Sequence, residues 1–415
     1  MPPPDLDFIY RKSVAALSGE NLVRDALAAR DEAWANRIRV IALGKAGCSM
    51  ARGAARALAQ ATGVVASHVS EPVPPGFELV VGSHPVPDER SVHAARALRE
   101  AARGAREDEQ VLFLISGGGS AIAALPTDGV TLAEKIETTR ALLRSGAAIE
   151  EMNAVRKHLS AIKGGQLGAA CRSRRSQALV LSDVSSNDLG SVASGPTVAD
   201  TSTFGDCLEI ARSRQIALPR SVLDRLERGA AGELPETPKP GDPRLEAIEH
   251  RLLAGPRDLA ETAARLAASE QVRAEAHGPF SGSVEQLAED IHQRAASAAG
   301  RLLLAYCGEP TLRVPAGSGK GGRMQHLALL LARRFAGQRF QALCAGSDGR
   351  DGDTDHGGAL VDGQTAARAV ELGVDLDSAI ARFDSATALG KLAAALPAFA
   401  SGTNLCDLVL FYLEA

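Results

Sequence analysis

The chain has 415 residues, 45% of them hydrophobic, 23% charged and 3% aromatic, with a formal net charge of -4. That length supplies cores for two domains. The slightly acidic balance and the shortage of aromatic rings argue against a nucleic-acid partner, which would need a basic field or stacking platforms. The six cysteines, at 48, 171, 207, 307, 344 and 406, show neither C-x-x-C nor zinc spacing, as expected of a reduced, cytoplasmic protein. The opening "MPPPDLDFIYRKS" lacks the apolar core of a signal peptide and no apolar run reaches membrane-spanning length, so no membrane partner is expected.

Short apolar runs alternate with stretches of helical period, the pattern of an α/β protein with a largely parallel sheet. "RIRVIAL" (37–43) reads as a buried strand ending in Gly44-Lys45-Ala46-Gly47, ahead of the helical stretch "CSMARGAARALAQA". "FELVVGS" (77–83) is the next strand, followed by a helix over "ERSVHAARALREAA". "QVLFLIS" (110–116) runs into Ser116-Gly117-Gly118-Gly119-Ser120, with a helix over "TLAEKIETTRALLRS" beyond it and another strand at "QALVLSD" (177–183). The segment "GELPETPKPGDPR" (232–244), dense in Pro, Gly and charge, is the expected boundary and gives domains over 1–235 and 245–415. The alternation then resumes, with strands "RLLLAYC" and "FQALCAGS" around a helix at "RMQHLALLLARRFAG" and a closing strand "CDLVLFYL".

In open α/β sheets, ligands bind beyond the carboxyl ends of the strands, where bare amides suit anions. Adjacent glycines cost backbone entropy, so two such turns, one with Lys45 at its tip, point to phosphate. Four polar clusters stand apart from the core pattern. "EMNAVRKHLSAIKGGQLG" sets Asn153, Arg156 and Lys157 near one helix face, with Ser160 and Lys163 a turn further on. "LSDVSSNDLGSVASGPTVAD" brings Asp183, Asn187 and Asp188 after a strand, then Ser194-Gly195-Pro196-Thr197, a second loop able to present amides. "GGRMQH" places Arg323 at a helix N-terminus, against the dipole, which a negative ligand would explain. "AGSDGRDGDTDHGGALVDG" (345–363) fails as an EF-hand, with His356 for the glycine and Asp362 for the glutamate. One or two of its carboxylates would still serve magnesium carried on phosphate oxygens, and a metal-free acidic turn is the alternative. A lone G-x-G-x-x-G, "GSGKGG" with Gly317, Gly319 and Gly322, follows a possible strand "TLRV" and leaves a dinucleotide site open.

"GKAGCSMARGA", "SHPVPDERSV", "LISGGGSA", "NAVRKHLSAIKGGQL", "LVLSDVSSNDLGSVASGPT", "GGRMQHLAL", "AGSDGRDGDTDHGGA" and "GTNLCDLVL" follow one another to the C-terminus. Together they resemble the class II glycerate kinases, the glycerate 2-kinase family with a C-terminal MOFRL domain. Met324 and His326 depart from the family's "GGRNQE". The resemblance implies an N-terminal Rossmann-like domain with a mostly parallel sheet, a smaller α/β C-terminal domain and an active site in the cleft between them. It also implies ATP-dependent phosphorylation of the C2 hydroxyl of D-glycerate, with Lys45 and Arg323 central. On that reading Gly44, Ser116, Gly117, Gly118, Gly119, Ser120, Asn153, Lys157, Ser194 and Gly195 hold the nucleotide. Lys45 bridges phosphate and acceptor hydroxyl, and Arg323 clamps the carboxylate. Asp183 and Asp351 are candidates for magnesium, and Asp183 and Asp188 for catalytic proton transfer. The expected partners are glycerate and ATP, bound by a monomer or homodimer. The rivals are a hydroxypyruvate reductase using NAD(P)H, a label some relatives carry, and a non-catalytic sugar-phosphate binding module.

Overall fold

A computed structural model describes residues 3–29, 38–268 and 272–414; Arg37, at the start of the first expected strand, lies outside them. The chain divides into two units. Gly19–Leu253 forms one, and the N-terminal segment through Ser18 joins the chain from Ala254 onward in the other.

The unit over Gly19–Leu253 is built on strands β1 (Ile38–Leu43), β2 (Ala61–Ser67), β3 (Phe77–Val81), β4 (Gln110–Ile115), β5 (Arg175–Leu181) and β6 (Ile248–Ala254), in the order β3-β2-β1-β4-β5-β6. The pairs from β3 through β5 are parallel. All of β4 is buried, as an unbroken apolar run covered on both faces must be. The register places Val80, Ala66, Leu43, Ile115 and Val180 in one row across the sheet. The segments leaving these strands therefore emerge along a single edge. The strand order reverses between β1 and β4, the switch point where ligands of such sheets bind. β2 was not expected. Its sequence "ATGVVAS" is weakly apolar, and the helix before it ends at Ala57, short of the stretch read as helical.

The other unit carries β7 (Arg273–Phe280), β8 (Arg301–Gly308), β9 (Phe340–Gly346), β10 (His356–Asp362), β11 (Ala395–Pro397) and β12 (Asp407–Glu414), ordered β11-β10-β9-β12-β8-β7. Only β7 and β8 pair in parallel; the other pairs are antiparallel, so the alternation did not extend a parallel sheet here. The helix Arg323–Arg334 buries every residue from Met324 to Ala332 between this sheet and the helices Val284–Ala296, Leu376–Ala381 and Ser385–Lys391, with Phe335, Phe340 and Phe411 in the same core.

Three further expectations are corrected. The segment 232–244 is not a linker: Thr237 Oγ1 donates to the buried Asp200 (2.9 Å), Glu236 accepts from Phe204 N (2.9 Å), and β6 beyond it joins the first sheet. The helix Leu6–Ala16 belongs to the second unit, where Tyr10 donates to the carbonyl of Gly346 at 2.7 Å. "TLRV" forms no strand; Thr311 makes a single bridge to Ser283, so "GSGKGG" lacks the strand a dinucleotide turn requires.

Candidate active site

The two glycine turns interlock at the switch point. Lys45 N donates to Gly117 O at 2.9 Å, Ser116 N to Leu43 O at 2.9 Å, and Ala46 N to Ser116 Oγ at 3.0 Å. Gly44, at φ +122°, presses so closely on Ser116 that a Cβ would sit 2.3 Å from its hydroxyl. Gly118, at φ +77°, has Lys45 Cγ 2.9 Å and His84 Cδ2 3.4 Å from where its Cβ would be. Both conditions exclude a side chain. His84 follows β3 and His68 follows β2, their rings edge to face with centroids 5.9 Å apart. Neither imidazole was expected at the site; a histidine just past a strand's carboxyl end was the available signal.

Ala193, Ser194 and Gly195 are all left-handed, at φ 51°, 61° and 59°. For the first two this conformation costs on the order of 1–3 kcal/mol each and must be imposed by the surroundings. Gly164 N donates to Ser194 O (3.0 Å) and Gly165 N to Gly195 O (2.7 Å). The Ser194 hydroxyl lies 2.6 Å from that of Ser120 and donates to Asn153 Oδ1 at 3.1 Å. Glycine turn, strained loop and the helix Ile149–His158 thus share one hydrogen-bond chain.

Other expected residues are engaged elsewhere. Lys157 Nζ lies 3.3 Å from the buried carboxylate of Asp200, so it already has a counter-ion. Exposed Asp188 accepts from Gly190 N (3.1 Å) and Ser191 Oγ (2.7 Å), closing its own turn. Asp183 stands half-buried just past β5, on the same edge as Lys45.

In the second unit, half-buried Arg323 donates from Nε to Asp407 Oδ2 (2.6 Å) and from Nη2 to Glu309 Oε1 (2.8 Å). Burial opposes its charge, but these two carboxylates hold its pKa above the ordinary value. Burial pushes Asp407 up to about 7 despite Arg323. Of the five guanidinium N–H groups, those on Nη1 remain for a ligand.

The family model described as a domain of unknown function (DUF4147) matches residues 5–227, and that of the MOFRL family matches 302–407. A D-glycerate 2-kinase of Thermotoga maritima is 35% identical, with 97% of this chain and 96% of that protein covered. The chain belongs to the glycerate 2-kinase family. A glycerate 2-kinase of Pyrococcus horikoshii is 35% identical over 90% of this chain and 87% of its own. A protein of Agrobacterium vitis provisionally named hydroxypyruvate reductase is 36% identical, covering 90% of this chain and 86% of its own. The solved structure of a glycerate kinase from Thermotoga maritima superposes with a TM-score of 0.84 at 34% identity, covering 98% of each chain.

Where this chain departs from the family's "GGRNQE", the side chains face inward: Met324 is in the core, and buried His326 stacks on Phe383 at 5.1 Å. Asp351, expected as a magnesium ligand, has another task. It is buried and its two oxygens accept from Met324 N (3.1 Å) and Gln325 N (2.7 Å), capping the helix that begins at Arg323. Burial raises its pKa while these amides restrain it. Asp351→Ala is expected to cost about 2 kcal/mol, as removal of a cap and exposure of its orphan amides should. Urea unfolding measures this, and an altered magnesium requirement at unchanged stability would contradict it.

Proposed function

We propose that the protein is a glycerate 2-kinase, transferring the terminal phosphoryl group of ATP to the C2 hydroxyl of D-glycerate. The observation that carries this reading is the convergence of two interlocked glycine turns and Lys45 at the sheet's switch point, in a chain whose relatives are named for that activity. Phosphoryl transfer needs positioning and charge neutralisation more than covalent chemistry. Amides of 116–120 and 194–195 would hold the polyphosphate, and Lys45 would meet the transferring group as a compact point charge. The remaining N–H groups of Arg323 would take the glycerate carboxylate. Asp183 and His84 are the groups on that edge able to accept the hydroxyl proton.

Among the described residues no group of three or more His, Cys, Asp or Glu side chains is arranged to hold a metal ion. An ion arriving on the nucleotide would need only one or two carboxylates beside phosphate oxygens. Asp183 would hold it, and it would neutralise phosphate charge. The six free, buried cysteines support a cytoplasmic site of action. No described helix is long and apolar enough to cross a membrane. The reductase reading drew on "GSGKGG" and on the label some relatives carry; no strand leads directly into that motif.

Glycerate-dependent ADP release is expected, abolished by EDTA, with no NADH oxidation on hydroxypyruvate. NADH oxidation without ADP release would overturn the reading.

A further inference from the structure

We propose that Lys163 is a positioning residue for the nucleotide: it anchors the short helix Gly119–Ile122 behind the glycine turn and supplies a buried positive charge that the phosphate chain answers. This rests on the kinase reading above. Lys163 is 1% exposed, and its ammonium donates to Ser120 O (2.9 Å) and Ala123 O (3.1 Å). Those carbonyls belong to the end of a helix of four residues, whereas an isolated helix needs about 12–15 residues to hold itself. Two glycines precede it and a third opens it, so the order of the turn must be imposed from outside. An ammonium at the carboxyl end satisfies carbonyls that have no partner within the helix.

The charged groups facing Lys163 are Arg156, on the helix Ile149–His158, and Lys135, on the helix Leu132–Arg144, whose own pKa burial pulls down to about 7. A buried ammonium beside another positive charge is costly, and burial, then Arg156 and Lys135, pulls its pKa well below the ordinary value. A bound polyanion would relieve that cost. Lys135 repeats the device on the neighbouring helix, donating to Arg156 O (3.0 Å) and Leu159 O (2.8 Å) at 5% exposure. It makes no hydrogen bond to the glycine turn, and so it serves as the control.

Lys163→Met and Lys135→Met are expected to lower the Tm comparably. Only Lys163→Met should raise the KM for ATP, by about tenfold or more, with the KM for glycerate and kcat within about threefold of the wild type. An unchanged KM for ATP in Lys163→Met, or an equal rise in Lys135→Met, would overturn the proposal. A second measurement reads binding without turnover. Calorimetric titration with MgATP in the absence of glycerate should give a Kd about tenfold or more weaker in Lys163→Met than in the wild type, and a Kd near the wild-type value in Lys135→Met. An unchanged Kd in Lys163→Met would overturn the proposal. A Kd weakened in Lys163→Met alone, in a protein with no glycerate-dependent turnover, would remove the kinase reading and leave Lys163 in place.

Discussion

Lys45→Ala is expected to lower kcat for glycerate-dependent ATP turnover by about 10³-fold, the scale of losing a preorganised group aimed at developing charge. The KM for either substrate should change far less. The backbone N–H of residue 45 that ties the two turns together survives the substitution, so the turn should keep its shape. What disappears is the side chain folded over Gly118 beside His84. A charge realised mainly in the transition state lowers kcat and kcat/KM together when removed, whereas uniform binding would appear in KM alone. Steady-state kinetics, with circular dichroism to confirm folding, separates these cases. A near-normal kcat would remove Lys45 from the chemistry.

Arg323→Ala is expected to fail in two measurable ways. The KM for glycerate should rise, because the N–H groups proposed for its carboxylate are gone. The fold should also lose about 3 kcal/mol at pH 8, since deleting one partner strands a buried charge. Asp407 is that partner. Its folded pKa, about 7, lies above the ordinary carboxylate value of about 3.9. The native state therefore holds this proton more tightly than the unfolded chain. The stability it contributes is fully present below pH ~4 and is lost as pH rises through the folded pKa. Without Arg323 the carboxyl shifts further up, so the deficit relative to the wild type should widen between pH 6 and pH 8. Asp407→Asn placed on Arg323→Ala should restore stability without restoring the KM. Urea titrations at both pH values measure this, and equal stability of variant and wild type at pH 8 would contradict it.

The parallel sheet was legible because β1, β4 and β5 each carry an apolar run that leads straight into glycine or serine. β2 was not, since Thr62, Gly63 and Ser67 dilute its period. The boundary was misplaced because proline and glycine report local stiffness, not burial; Thr237 is tied to Asp200 from a stretch that reads as a linker. The helix Leu6–Ala16 joins a unit whose other residues begin at Ala254, a long-range choice that no local pattern encodes. The turns that carry Lys45, Ser116–Ser120 and Ser194 were readable from their glycines. His68 and His84 were not singled out: His84 stands just past an expected strand, but the register of β1 with β2, and of β2 with β3, is what brings their ends level. Asp351 looked like a ligand because acid spacing does not show that two amides of another segment already claim its oxygens.

Phosphorylation at C2 goes with the proposed placement of the glycerate carboxylate at Arg323. With the carboxylate held by Arg323, the C2 hydroxyl lies one carbon away and moves little, while the C3 hydroxyl swings on a further bond and is harder to keep in line. Enolase acts on 2-phosphoglycerate directly and on 3-phosphoglycerate only after a mutase. Coupling the reaction to enolase alone and recording phosphoenolpyruvate is therefore the most direct measurement. Signal from D-glycerate and ATP without mutase is the expected result; signal that requires mutase would make C3 the acceptor and contradict the placement of the carboxylate at Arg323.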